Sequence, residues 1–215
     1  MSTCELTKSE AEAIAGRLSE PRKMPGFSYG LPAEECITGS KLREIPGTVC
    51  FGCYAMKGTY KLWAYVVKPA QYKHLAAIEH PQWVDAMTVL IGRTKSKYFR
   101  WHDSGDLQST EHLRRIAEIA RRLPRVKFWL PTQEYQFVRE YLRKGKPFPR
   151  NLVVRISAHL IDGPHADLGL PTSGVHSDKV PASCYECPSR YQDNQCGDCR
   201  ACWTKTVKHV SYHEH

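Results

Sequence analysis

The sequence predicts an α/β fold of parallel β-α-β units, forming a partial barrel or an open sheet, with cysteine-rich, loop-rich cluster-binding segments attached. Between residues 97 and 156, short apolar runs alternate with amphipathic helical patterns. Strands that alternate with helices pair in parallel through helical crossovers. The cysteines carry the rest of the expectation, because nine of them fall mostly in two Gly- and Pro-rich regions. Met1 to Glu10 lacks the basic start and apolar core of a signal peptide. No apolar run reaches the eighteen or so residues of a membrane span. The expectation is therefore a cytoplasmic protein without a membrane partner. Disulfides are rare in that compartment, so clustered cysteines read first as metal or cluster ligands.

The elements follow in order. Thr7-Lys-Ser-Glu10 has the form of a capping box, and Ala11, Ile14, Ala15 and Leu18 continue it at helical spacing. A helix is expected over 8–18, within an N-terminal segment 1–23. Residues 24–60 hold Cys36, Cys50 and Cys53 in a region whose order would come from ligation. The core, 61–160, begins with helical patterns over 69–79 and 82–91. Lys97–His102 reads as a strand, followed by the turn Asp103-Ser-Gly-Asp106. Ser109 can cap a helix with Leu113, Ile116, Ala117 and Ala120 on one face, ended by Pro124. Val126–Leu130 is the second strand, and Thr132 can begin a helix running to Lys144, with Gly145 as its stop. Leu152–Ile156 is the third strand. Residues 158–186 read as irregular. The last segment, 161–215, is cysteine-rich, and the four segments are expected to form one compact unit.

The C-terminal cysteines carry the sharpest chemistry. Cys187-Pro188 and Cys196-Gly-Asp-Cys199-Arg-Ala-Cys202 reproduce the ferredoxin habit of successive Cys-x2-Cys steps plus a remaining ligand followed by proline. A 4Fe–4S cluster is the first reading. Zinc is the alternative, since Cys184 stands in Cys-x2-Cys relation to Cys187 and paired knuckles suit zinc.

Cys50-Phe-Gly-Cys53, with Cys36 upstream, admits several readings: a redox dithiol, a contribution to the C-terminal site, a structural role, or a second cubane. Three thiolates on a cubane leave one iron open to a substrate or cofactor. Cys4, near the terminus, is read as no ligand. His209, His213 and His215 read as a polar tail before they read as ligands.

Ligands of parallel sheets gather at the carboxyl ends of strands. Those ends are His102, Asp103, Ser104, Gly105 and Asp106, then Thr132 and Gln133, then Arg155 and Ser157. These residues are the candidate cofactor contacts, with Gly105 permitting close approach to a ligand. The alternative is a capping turn with solvated carboxylates. The formal net charge of +9 fits a nucleic acid, a phosphorylated substrate or an acidic partner, or else solvated helix faces.

Leu31-Pro-Ala, Cys36, Gly39-Ser-Lys-Leu42, Cys50-x2-Cys53-Tyr-Ala, Trp101-His-Asp-Ser-Gly-Asp106 and Cys196-x2-Cys199-Arg-Ala-Cys202-Trp203 together resemble the phage-encoded, gene product 88-like cysteine-rich proteins. That resemblance covers most of the chain and implies a phage or prophage origin. A more distant resemblance is to radical S-adenosylmethionine (SAM) enzymes. It implies a cluster on Cys36, Cys50 and Cys53, a methionine-binding turn at Ser104-Gly105-Asp106, further SAM contacts from Arg155 and Ser157, and an auxiliary cluster on Cys187, Cys196, Cys199 and Cys202. The sequence departs from that family in lacking Cys-x3-Cys-x2-Cys spacing. Two functions follow: a radical or redox iron–sulfur enzyme, or a zinc- or cluster-stapled nucleic-acid-binding module without catalysis. Substrate and oligomeric state are left open.

Overall fold

Thr7 and Glu10 cap each other as their spacing requires. The Thr7 hydroxyl accepts from the Glu10 amide at 3.2 Å, and the Glu10 carboxylate accepts from the Thr7 amide at 2.7 Å. A computed structural model describes residues 6–214, so Cys4 and His215 lie outside the described residues. The first helix, α1 (Lys8–Ala15), stops short of the expected residue 18. Gly16 ends it at φ +80°, where a Cβ would lie 2.7 Å from the His74 ring.

The helices that follow are α2 (Ile37–Leu42), α3 (Gly58–Leu62), α4 (Ala64–Ala77), α5 (Trp83–Arg93), α6 (Thr110–Arg122) and α7 (Tyr135–Arg143). The strands are β1 (Phe27–Tyr29), β2 (Tyr98–Trp101), β3 (Lys127–Thr132), β4 (Leu152–Ile161), β5 (Thr172–His176), β6 (Tyr185–Glu186) and β7 (His209–His213). All seven form one parallel sheet in the order β1-β2-β3-β4-β5-β7-β6. The sheet is open, not a barrel.

The expected β-α-β-α-β run is β2-α6-β3-α7-β4. Ser109 caps α6 by accepting from the His112 amide at 3.0 Å. Two expectations need correction. Thr132 belongs to β3 instead of opening α7, and its hydroxyl accepts from the Glu134 amide at 3.0 Å. Residues 158–186 are not irregular, because they carry the end of β4, all of β5 and β6. α4 also starts before the expected residue 69, with Pro69 inside it.

Strand alternation gives the sheet two different faces. Phe99, Trp101, Phe128, Leu130, Leu152, Val154 and Ile156 face the helices and pack against Trp83, Met87, Leu113, Ile116 and Val138. Trp129 points the other way, into Ala201, Cys202, Trp203 and Val210. One face is thus a helix-covered core, and the other is roofed by the C-terminal cysteine segment. On α6, the basic side chains Arg114, Arg115, Arg121 and Arg122 pair with Glu111, Glu118 and Asp85, so much of the expected basic face is neutralised locally.

Burial determines how the helix-side core responds to acid. The His112 ring is fully buried, takes the Gln108 amide on Nδ1 at 3.4 Å and leaves Nε2 without a partner. Burial, with the Arg115 charge adding, pushes its pKa down from 6.5 to about 3. The fold therefore refuses a proton that the unfolded chain accepts. This contribution to stability is complete above about pH 6.5 and drains away as the pH falls toward about 3. Between pH 7 and 5 it removes about 2 kcal/mol. Asp106, pushed up to about 7 chiefly by burial, runs in the opposite direction. Urea unfolding of wild type and His112→Phe at both pH values isolates the histidine, and the variant should lose about 2 kcal/mol less than wild type. Equal losses would show that His112 takes up its proton in the folded state.

Candidate functional site

Three parts of the chain meet at the carboxyl end of the sheet. After β1, a short turn over Ala33–Glu35 delivers Cys36 to the start of α2. Thr38 fixes that position, donating from its amide and its hydroxyl to the Glu134 carboxylate, both at 2.7 Å. Glu134 is fully buried in the β3–α7 turn. Gly39 leaves room for sulfur, since a Cβ there would lie 2.9 Å from Cys36 Cβ and 3.5 Å from Cys50 Sγ. Thr48 donates its hydroxyl to the Leu42 and Ile45 carbonyls, and the Val49 amide donates to the His159 carbonyl at 2.9 Å. Those bonds hold Cys50 beside the end of β4. Cys53 closes the turn, its amide donating to the Cys50 carbonyl at 3.1 Å.

The turn after β2 faces these thiols. Asp106 accepts from the Leu107 and Gln133 amides, each at 2.7 Å. Gln133 in turn places its side-chain amide 3.3 Å from Cys50 Sγ. His102 is buried at φ +52° with both ring nitrogens unpartnered, 4.0 Å from Asp106. Such strain in a non-glycine residue is a feature of functional turns. Asp103 accepts the Tyr54 hydroxyl on its carbonyl at 2.5 Å and the Tyr60 hydroxyl on its carboxylate at 3.0 Å. Its other carboxylate oxygen and the Ser104 hydroxyl are buried without partners.

Gly105 serves a different contact from the expected one. At φ +76° its missing Cβ would sit 2.5 Å from Leu31 Cβ and 2.8 Å from the Leu31 carbonyl oxygen, so the close approach is to the chain's own β1 loop. Gly105→Ala should cost about 3 kcal/mol through strain and overlap, read as a lowered urea midpoint. A loss under about 0.5 kcal/mol, the scale of an ordinary surface change, would show that the turn relaxes freely.

The pocket is strongly anionic. Burial raises the Cys36 thiol, and the charges of Asp106, Cys53, Cys50 and Glu134 raise it further. Cys50 is pushed up to about 11, again first by burial, against a lowering hydrogen bond from Gln133. Three thiols and two buried carboxylates thus share one site, an arrangement that favours a bound cation.

A second array covers the opposite face of the sheet. Cys187 follows β6, its amide donating to the Ser211 carbonyl at 2.8 Å, and the Cys196 amide donates to the Lys23 carbonyl at 2.7 Å. Cys199 Sγ lies 3.4 Å from the Tyr185 hydroxyl, and Cys202 Sγ lies 3.1 Å from the Tyr212 hydroxyl. Burial raises the Cys196 thiol and the charges of Cys187 and Cys199 add to it; burial pushes Cys202 up to about 12. Cys184 stands apart, 3.3 Å from His165 Nε2. Among the described residues, no three His, Cys, Asp or Glu side chains are arranged to hold a single metal ion.

The remaining candidates are divided. Thr132 and Gln133 lie at the thiol pocket. Ser157 turns to the cysteine-covered face, its hydroxyl 3.2 Å from that of Ser173. Arg155 departs from the expected cofactor contact. It is fully buried, and its guanidinium donates to the carbonyls of Thr172, Ala201, Thr204, Val207 and Lys208. Its role is to hold down the C-terminal segment. Sequence reasoning missed Thr38, Tyr54, Tyr60, Arg100 and Glu134. Of these, Tyr54 had a signal in directly following Cys53, and Glu134 had one in directly following Gln133.

No curated protein and no solved structure matches the chain. The model of the family described as gene product 88 matches residues 4–205. That span takes in both cysteine arrays and the turn between them. It agrees with the resemblance to gene product 88-like proteins and does not extend to the radical SAM enzymes. The chain belongs to the gene product 88 family.

Proposed function

We propose that this is a phage-type iron–sulfur protein with a 4Fe–4S cluster on Cys187, Cys196, Cys199 and Cys202, and a second, open cluster on Cys36, Cys50 and Cys53 that serves radical-SAM-like redox chemistry. The observation that carries the reading is the gathering of three thiols from Cys36 and the Cys50–Cys53 turn against Asp106, at the carboxyl ends of parallel strands. Family membership supports the phage origin. The donor set fits the proposed groups. A single zinc ion with bonds of about 2.3 Å would draw its sulfurs to roughly 3.8 Å apart, whereas a cubane takes one thiolate at each iron and tolerates a wider ring.

When bound, such an open cluster supplies an electron to a sulfonium cofactor. The chain's own residues do the rest. Asp106 offers a carboxylate to an ammonium group, oriented by the Gln133 and Leu107 amides. Asp103 and Ser104 offer buried atoms that have no partner within the protein. His102 stays neutral, because burial holds its pKa well below the usual range.

Anaerobically purified protein should be brown, with broad absorption near ~400 nm and acid-labile sulfide. Stoichiometric zinc without sulfide, in cells given adequate iron, would refute the reading. Asp106→Asn should weaken SAM binding about 10- to 100-fold, the worth of a charge-assisted hydrogen bond, with iron content unchanged. Unaltered affinity in the iron-loaded variant would remove SAM from the proposal.

A further inference from the structure

Arg100 is the group that touches the surroundings of both cysteine arrays. It lies on β2, on the face turned away from the helices, and its guanidinium stacks 4.5 Å over the Trp129 ring. One Nη donates to the Tyr54 hydroxyl at 3.3 Å and to the His102 carbonyl at 3.5 Å; the other reaches Met24 Sδ at 3.9 Å. Its Nε is buried without a partner. Among the described residues it makes no ion pair with a carboxylate, unlike the arginines of α6. A largely buried guanidinium without a counter-ion is costly, so it implies negative charge supplied from elsewhere.

Two directions offer that charge. Toward the C-terminal array, the Arg100 charge is felt at the Cys196 thiol, and Trp129 stacks edge-on with Trp203, the neighbour of Cys202. Toward the N-terminal array, Tyr54 directly follows Cys53. Its hydroxyl accepts from Arg100 while donating to the Asp103 carbonyl. Arg100 thus stands between a set of four thiols and a set of three, with one aromatic side chain on each side.

We infer that Arg100 is a positioning residue whose single positive charge is shared by the two cysteine arrays, so that each array senses the charge carried by the other. The inference rests on the proposed iron–sulfur reading and deepens it by naming the residue that couples the two sites. The contact with the C-terminal array is the more direct, and Tyr54 relays the effect to the N-terminal one. A cation beside a thiolate-bound centre favours the electron-rich state, because burial and local charge set the potential of such centres.

The test is an anaerobic redox titration of the full chain, followed by electron paramagnetic resonance, alongside iron and sulfide analysis. In Arg100→Met, iron content should stay at the wild-type level while both midpoint potentials move to more negative values. In Tyr54→Phe, the N-terminal centre should move and the C-terminal centre should hold. Arg100→Lys keeps the charge and loses the planar fork, so it should restore much of the C-terminal potential. Either potential unmoved in iron-loaded Arg100→Met overturns the inference and leaves the proposed function standing. Should Arg100→Met fail to retain iron, Tyr54→Phe decides: an N-terminal potential equal to wild type overturns the coupling, and a selective shift supports it. Wild-type protein without iron and sulfide overturns both readings together.

Discussion

In a Cys50→Ala/Cys53→Ala variant, iron per chain is expected to fall from about eight to about four, the difference of one cubane. The prediction follows from the separation of the arrays. Cys50 and Cys53 sit in a turn tied to β4 through Val49 and to α2 through Thr48, while the C-terminal cysteines cover the other face of the sheet. No hydrogen bond of Cys50 or Cys53 reaches Cys187, Cys196, Cys199 or Cys202 among the described residues. Removing the first pair should therefore leave the second array loaded and the fold intact. Acid-labile sulfide should fall in step with iron. An unchanged iron count would eliminate the N-terminal cluster, and with it the radical mechanism. Loss of all iron would show that the two arrays load as one unit.

Arg155→Leu should lower stability by about 3–5 kcal/mol, on the scale seen when one partner of a buried charged network is removed. The guanidinium gathers carbonyls from β5 and from 201–208, which no neighbouring amide replaces once it is gone. Leucine fills part of the volume but offers no donor. The loss should concentrate in the segment leading into β7, so limited proteolysis should cut within 201–208 long before the helix-side core opens. A variant of wild-type stability with a protected C-terminus would show that the carbonyls find other donors.

The run from β2 to β4 is legible because its signals are local. Ser109 caps α6, Pro124 and Gly145 end helices, and the apolar runs between them are flanked by turns. The grouping of the cysteines is legible from spacing alone, as is the turn Asp103–Asp106. What escaped reading depends on partners far along the chain. Glu134 looks like an ordinary helix-start acid, yet its carboxylate anchors Thr38 across 96 positions. Arg155 lies in a recognisable strand, but nothing in Val153–Ser157 reveals that carbonyls from 201–208 will close over it. β5 reads Thr-Ser-Gly-Val-His, too polar and too short for a periodic signal. It is a strand because β4 and β7 supply hydrogen bonds on both sides. Gly105 was recognised as a site of close approach, but only tertiary structure could name Leu31 as what approaches.

The placement of β7 between β5 and β6 makes the order of synthesis matter. The ribosome releases β5 well before the residues that will pair with it, and Cys187 to Cys202 all emerge in the interval. Until the closing strand arrives, β5 is an unprotected sheet edge with free amides and carbonyls, the kind of surface on which chains add to one another. Whatever slows the folding of 187–208 prolongs that exposure. Aggregation during expression is then a kinetic race, won by how quickly the last thirty or so residues, roughly one supersecondary unit, can fold into place.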